Sequence, residues 1–366
     1  MSEKRLDWIA LGLATAECPR SIPKILARFA SPLEIFHAPQ EDLRGLGLND
    51  EIIGCLSSGW FQERAEEEEA RLDRLGGRVI VYDDESYPGL LKQIPDPPFV
   101  LFSFGRTDVL RGPAVGIVGA RRPTPYGRAA AQSLARELAG RGLAVASGLA
   151  EGIDSRAHMG ALESGRTIAV LGTGLDIVYP RLNRGLAKKI AGSGCLVTEF
   201  PLGARPLAHH FPQRNRLISG LCLALIVVEA AQNSGSLITA RLALEQNREV
   251  LAVPGNITSE LSRGTNGLIQ AGAKAVTCWQ DVVEELPEAV RARALEIGRP
   301  EPDRPAPRGG EESRVLGCLR PDGLVHIDEI AVRTDVPLPS LLAVLLDMEL
   351  RGLVRQSPGK FYQRSL

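Results

Sequence analysis

The densest chemistry in the chain lies in Phe211-Pro212-Gln213-Arg214-Asn215-Arg216-Leu217-Ile218-Ser219-Gly220, where two arginines flank an asparagine at the expected start of a helix. Guanidinium groups are planar, bidentate donors that match phosphate oxygens. The competing reading is a salt bridge from this pair to an acid such as Glu199. It needs two nearby carboxylates, and the local sequence supplies none. Four further segments share the chemistry: Gly119-Ala120-Arg121-Arg122, Ser147-Gly148-Leu149-Ala150-Glu151-Gly152-Ile153-Asp154, Gly172-Thr173-Gly174 followed by Tyr179-Pro180-Arg181 and Asn183, and Ser234-Gly235-Ser236-Leu237-Ile238-Thr239. Glycine admits close approach of a ligand, hydroxyls donate to it, and helix N-termini favour anions. The candidate phosphate-binding residues are therefore Gly119, Arg121, Arg122, Ser147, Gly148, Gly172, Gly174, Arg181, Asn183, Arg214, Asn215, Arg216, Ser219, Ser234, Gly235, Ser236 and Thr239.

The phosphate need not belong to a dinucleotide. From Gly116 the first loop reads G-x-x-G-A-R-R, not G-x-G-x-x-G, and the second strand ends in Ser147-Gly148 without an acid for a ribose hydroxyl. No Walker loop is present either. A search for catalytic residues yields no persuasive set. Asp154 and His158 stand four apart, which suits an acid–base pair, but a helix-capping Asp and a structural His fit the pattern better. His209-His210 has no Cys or carboxylate ligands beside it, Cys195 and Cys222 read as core residues, and nothing pairs Glu199, Glu229 or Glu245. No metal and no cofactor are expected.

These loops need elements to position them. Nine apolar runs, Val79–Tyr82, Pro98–Ser103, Ala114–Val118, Leu143–Ser147, Thr167–Leu171, Cys195–Glu199, Leu223–Val228, Glu249–Val253 and Lys274–Thr277, alternate with amphipathic stretches. Strands alternating with helices predict an α/β domain with an extended Rossmann-like parallel sheet, placing the glycine-rich loops together at the carboxyl ends of the strands. This domain is expected over 78–288. Residues 1–75 read as a domain of short helices, 289–310 as a Pro/Arg/Gly linker, and 311–366 as a winged-helix module. Leu43-Arg44-Gly45-Leu46-Gly47 suits either the phosphate-contacting turn of a helix-hairpin-helix or a plain helical turn. The third helix of the C-terminal module has no basic residue before Arg351, so it reads as a packing or protein-contact surface rather than a base-reading helix.

Lys and Arg total 43 against 44 Asp and Glu, which taken alone argues against nucleic acid. By segment the picture reverses. Residues 111–220 hold fifteen bases and six acids, a net of +9, while 61–90 hold nine acids and four arginines, a net of −5. A local patch steers a polyanion whatever the sum. Hydrophobic residues at 44% exclude wholesale disorder, and no apolar run is long enough to span a bilayer. The six cysteines form no C-x-x-C pair, and the N-terminus lacks a signal-peptide core, so a soluble protein in a reducing cytoplasm is expected.

Six motifs in fixed order closely resemble the DNA-processing protein A (DprA, or Smf) family: Gly119–Arg122, Ser147–Asp154, Gly172–Asp176 with Tyr179-Pro180 and Asn183, Phe211–Gly220, Ser234–Ala240, and Val253-Pro254-Gly255-Asn256. The resemblance covers some 200 residues of the central domain. It implies a non-enzymatic protein that binds and protects incoming single-stranded DNA and loads the RecA recombinase onto it during natural transformation. It also implies a homodimer, with Leu268 and Ile269 at or near the contact, a DNA-binding role for Arg121, and a basic position after Tyr-Pro at Arg181. With aromatics at only 5%, phosphate contacts are expected to dominate over base stacking. The alternative is a nucleotide-processing enzyme resembling the phosphoribohydrolases. Such an enzyme calls for a Gly-Gly-x-Gly-Thr turn and a following Glu, where this chain has Ser234–Ala240 and Glu245 only later.

Overall fold

Strands rich in Ala, Val, Ile and Leu with no polar alternation can only be covered on both faces, and the central strands here are. Every residue of Ala114–Val118, Ala144–Ser147 and Ala224–Val227 is buried. The computed structural model describes residues 3–16, 18–297, 310–319, 323–351 and 353–364. It separates into two units, Met1–Gly298 and Arg299–Leu366.

The first unit begins with six helices, α1 (Glu3–Thr15), α2 (Ile22–Arg28), α3 (Pro32–Phe36), α4 (Gln40–Gly45), α5 (Asp50–Ser57) and α6 (Trp60–Arg74). Two antiparallel strands follow, β1 (Arg78–Val81) and β2 (Val100–Gly105). The alternating part then runs β3 (Ala114–Val118), α7 (Pro125–Ala139), β4 (Ala144–Ser147), α8 (Ile153–Ser164), β5 (Thr167–Val170), α9 (Arg184–Ser193), β6 (Cys195–Thr198), α10 (His210–Gly220), β7 (Ala224–Val227), α11 (Gly235–Glu245), β8 (Glu249–Ala252), α12 (Glu260–Gln270) and β9 (Lys274–Ala275). Helices α13 (Trp279–Glu284) and α14 (Glu288–Ile297) close the unit. One sheet in the order β1-β2-β6-β5-β4-β3-β7-β8-β9 contains all nine strands. The seven from β3 to β9 are parallel to one another, and β2 joins β6 antiparallel. The chain moves outward from β3 in one direction through β4, β5 and β6, then returns to β3's other side with β7. The switch point therefore lies between β3 and β7, the place where open α/β sheets bind ligands.

The six N-terminal helices share a core with the sheet edge. Trp8, Ile9, Leu11, Leu43, Leu56 and Leu72 pack in one cluster with Val79, Phe99, Val100 and Phe102. Gly12 permits the closest contact, since a Cβ there would run into the Val100 side chain. The Leu43–Gly47 segment ends α4 and enters the turn to α5, with Gly47 in the left-handed region (φ +92°), and Arg44 pairs with Asp50 at 2.8 Å. Residues 289–297, expected in the linker, continue α14, and Ala294 is buried in the core. Ala-Val-Arg-Ala-Arg-Ala-Leu-Glu is a run of good helix formers, and no proline intervenes before Pro300. Residues 298–309 lie outside the described ones.

In the second unit α15 (Gly310–Cys318), β10 (Val325–His326), α16 (Ile327–Thr334), α17 (Leu338–Leu350), β11 (Val354–Ser357) and β12 (Phe361–Arg364) make the winged-helix order, with the small sheet arranged β10-β12-β11. Leu341, Leu345 and Met348 of α17 are buried in its core, while Leu338, Leu342 and Leu346 are exposed and Arg351 is paired with Glu312 and Asp347.

Helix α8 is anchored to the sheet by His158, fully buried, whose Nδ1 lies 2.6 Å from the Thr167 hydroxyl. Burial, with Arg214 nearby, lowers its pKa to about 3. An unfolded His takes up a proton below about pH 6.5, whereas this one stays neutral, so stability falls as pH drops from 6.5 towards 3. His158 should contribute about 1.4 kcal/mol per pH unit to that slope, and His158→Gln should flatten it in urea unfolding measured across the window. At the seam between helices and sheet, Gly12→Leu should cost about 1–3 kcal/mol, read as a lower urea midpoint of the whole unit.

Candidate functional site

At the switch point the strand ends bracket a cavity of about 530 Å³, walled by residues following β3, β4, β5 and β7 and by α10. The first wall is set by a strut. Glu229, buried just beyond β7, accepts hydrogen bonds from the Thr124 amide (2.9 Å) and hydroxyl (2.5 Å). Thr124 in turn caps α7 by accepting from the Gly127 amide at 3.2 Å. With its far end fixed, the β3 loop projects Arg121 and Arg122 into solvent, and Arg121 lines the cavity.

The second wall is built around two buried side chains of opposite charge, Asp154 and Arg214. Asp154, at the start of α8, accepts from the amides of Gly148 (3.1 Å) and Ala150 (3.3 Å). Arg214 donates Nη1 to the carbonyls of Gly148 (2.7 Å) and Val170, and Nε to Asn215 Oδ1 (3.2 Å). Burial raises the Asp154 pKa, with Arg214 opposing. Burial also lowers Arg214 to about 10, against the pull of Asp154, so the guanidinium remains charged at neutral pH. Asn183 donates to the Leu149 carbonyl (2.7 Å) and the Ser155 hydroxyl (3.0 Å), holding Leu149 in the left-handed region at φ +56°. Such a conformation persists only where its surroundings fix it. The third wall is the N-terminus of α11, capped by Ser234, with Gly235, Ser236 and Thr239 facing the cavity.

Of the residues expected to meet phosphate, the structure gathers Gly119, Arg121, Arg214, Asn215, Ser234, Gly235, Ser236 and Thr239 in the lining. Arg122 and Arg181 stand exposed beside it. The others are scaffold. Ser147 is fully buried and donates to the Ile117 carbonyl at 2.6 Å, Gly148 and Asn183 are consumed by the bonds above, and the Ser219 hydroxyl bonds back into α10. Gly172 gives Phe211 room to pack, since an added Cβ would lie 3.1 Å from its ring, and Gly174 does the same for the Pro201 carbonyl. Arg216 requires a correction. It is buried between Glu199 (2.5 Å) and Asp96 (3.1 Å), so it holds the fold instead of meeting phosphate. The second acid comes from a segment distant in sequence, where local reading could not find it. Burial raises Glu199 to about 7, with Arg216 pulling the other way.

Two aromatics were missed. Tyr179, half-exposed, and Phe211 both line the cavity with ring centroids 5.5 Å apart. The guanidinium carbons of Arg121 and Arg214 lie 5.9 and 6.0 Å from the Phe211 ring. Their positions were readable in the Tyr-Pro and Phe-Pro-Gln-Arg motifs, but a low aromatic total concealed that these two are placed together. His210 stacks on Phe200 at 4.0 Å, and Glu245 is exposed at the far end of α11. Among the described residues there is no group of three or more His, Cys, Asp or Glu able to hold a metal, and no helix long and apolar enough to cross a membrane.

The bases of this unit sort by position. At the amino ends of the strands Arg106 and Arg166 pair with Asp108, Arg136 with Glu163, and Arg141 with Glu137. Around the cavity, Arg121, Arg122, Arg128, Arg181 and Arg205 are exposed and have no ion-pair partner among the described residues. These five unpaired bases leave positive charge around the cavity, a field that attracts a polyanion to that side of the molecule.

Residues 78–287 match the family model described as DNA recombination-mediator protein A, and 299–360 match the DprA winged helix domain. The chain is 43% identical over 245 residues to the DNA processing protein DprA of Streptococcus pneumoniae, covering 66% of this chain and 86% of that one. Protein Smf of Escherichia coli is 39% identical over 299 residues, covering 79% and 78%. The crystal structure of the Streptococcus pneumoniae protein superposes with a TM-score of 0.62 at 36% identity, over 78% of this chain and 99% of that one. A structure of DNA processing protein A from Helicobacter pylori, described for its single-stranded DNA binding mode, superposes with a TM-score of 0.53 at 32% identity, over 57% and 98%. From the strand order to the ordered motifs around the cavity, the chain belongs to the DNA recombination-mediator protein A (DprA/Smf) family.

Proposed function

We propose that this chain binds single-stranded DNA in the cavity at the carboxyl edge of its sheet, in the cytoplasm, and passes it to a RecA recombinase during natural transformation. One observation carries the reading: an exposed, unpaired Arg121 stands beside two aromatic rings and the N-terminus of α11 in one open cavity. Arg121 and the helix amides suit backbone phosphates, and Tyr179 and Phe211 offer a stacking surface that accepts any base. The single-stranded DNA binding described for the Helicobacter pylori relative supports this, and the family's description as a recombination mediator supports hand-over to a recombinase. A non-enzymatic role is supported by the state of Asp154, the acid in the lining, whose carboxylate is occupied by the amides of Gly148 and Ala150. Dimerisation is assigned to α12, where Leu268 and Ile269 are half-buried.

Arg214 is too deeply built in to serve as a clean probe, because its loss would leave the carbonyls of Gly148 and Val170 without their donor. Arg121→Ala is the better test. It should weaken binding of a labelled oligothymidylate and make the salt dependence shallower by about 0.7 in log–log slope, the value for one phosphate on a single strand. Tyr179→Ala should cost about 1–3 kcal/mol of affinity, the worth of one stacked base. Equal affinity for duplex, or no binding to either form, would favour a nucleotide-processing enzyme instead. Leu268→Arg should shift the protein towards monomer in sedimentation, and an intact dimer would remove α12 from the interface.

A further inference from the structure

Between Asp176 and Glu199 the sequence holds four bases, Arg181, Arg184, Lys188 and Lys189, and no acid. The last three lie on α9, whose other face, Leu186, Ala187 and Ile190, is buried against the sheet. All four bases are exposed, and none has an ion-pair partner among the described residues. This contrasts with Arg106, Arg136, Arg141 and Arg166 at the amino ends of the strands, which are neutralised by acids. Gly185 and Gly192 lie on the same exposed side, and a Cβ added at either would meet nothing within 4 Å. The outer side of α9 is therefore a low ridge of cations with open glycines between them, on which a flexible chain can lie close to the helix.

The ridge is continuous with the cavity. Tyr179 lines the cavity, Arg181 follows two residues later in a single 3-10 turn, and α9 starts at Arg184. Ten helical residues extend about 15 Å from that point. We propose that α9 is a second, phosphate-only segment of the strand path: DNA leaving the cavity past Tyr179 and Arg181 lies along α9, with backbone phosphates against Arg184, Lys188 and Lys189. The inference rests on the single-strand reading above and deepens it by assigning a direction and a longer footprint. Nothing on the ridge reads a base, since it presents no aromatic ring and no amide side chain, so the segment is indifferent to sequence.

The test uses the full chain, with anisotropy of labelled oligothymidylates of about 4 and about 16 nucleotides, the span of single-strand site sizes. Three proteins are compared over a salt series: the parent, Arg121→Ala, and the triple variant Arg184→Ser, Lys188→Ser, Lys189→Ser. Lys188→Glu is a fourth, milder variant, and matched melting curves confirm that these exposed changes leave the fold intact. The triple variant should bind the short oligonucleotide like the parent, yet bind the long one more weakly and with a log–log salt slope shallower by about 2, at about 0.7 per lost phosphate contact. Lys188→Glu should show the same length dependence, smaller in size. If Arg121→Ala weakens both lengths while the triple variant weakens neither, the cavity assignment stands and the ridge is overturned, as it would be if α9 instead met an acidic protein. Equal loss on both lengths also overturns it, by placing these bases in the cavity's own contacts. Absence of binding by the parent would overturn the single-strand reading and this one with it.

Discussion

A guanidinium taken out of water must find acceptors for its donors, and Arg214 finds them at the ends of two adjacent strands, in the carbonyls of Gly148 and Val170. Asp154, which gathers the amides of the same loop, is the buried opposite charge whose pull favours the charged guanidinium. Removing either buried charge would leave the other uncompensated, along with the backbone groups that the lost side chain satisfies. The loops after β4 and β5 are therefore held in one arrangement, with the Asn183 side chain holding Leu149 as a second tie. The residues that line this side of the cavity stand on this arrangement. The cavity is open, yet its floor is a closed network of buried hydrogen bonds.

The same division between floor and rim explains the charge distribution. Arginines that carry structure are buried with acids, as Arg216 is with Glu199 and Asp96. Arginines that are free to meet a ligand are exposed and lack acids around them. Whole-chain charge cannot separate these two populations, because it sums neutralised pairs and free cations alike.

The architecture was largely legible in the sequence. All nine apolar runs became strands of one sheet, and the signal is plainest in the central parallel strands, which are buried on both faces and carry an uninterrupted apolar run. The gathering of the glycine-rich loops followed too, since loops at the ends of parallel strands converge on one edge. What sequence could not reveal was which members of a motif face outward. Arg214 and Arg216 are two residues apart on one helix, yet one lines the cavity and the other is enclosed, and that difference rests on Asp96, far upstream. Ser147, Gly172 and Gly174 were likewise read as ligand contacts when they make room for or support the loops. Tyr179 and Phe211 went unnoticed for the opposite reason: rarity in the whole chain says nothing about proximity in the fold.

The helical layer also reaches the site. Glu68 of α6 accepts from the Leu202 amide, and Leu202 itself is buried among the N-terminal helices. Further along, the Gln213 amide group donates to the Ala16 carbonyl at 2.5 Å. The segment between, containing Pro206 and Ala208, forms one lip of the cavity, so this lip is moored at both ends to the same helical body. A free loop fluctuates in nanoseconds, whereas a packed layer moves as a body in microseconds to milliseconds. Widening the mouth on that side thus requires collective motion of the helices, and any strand threaded beneath the lip would be released on their timescale.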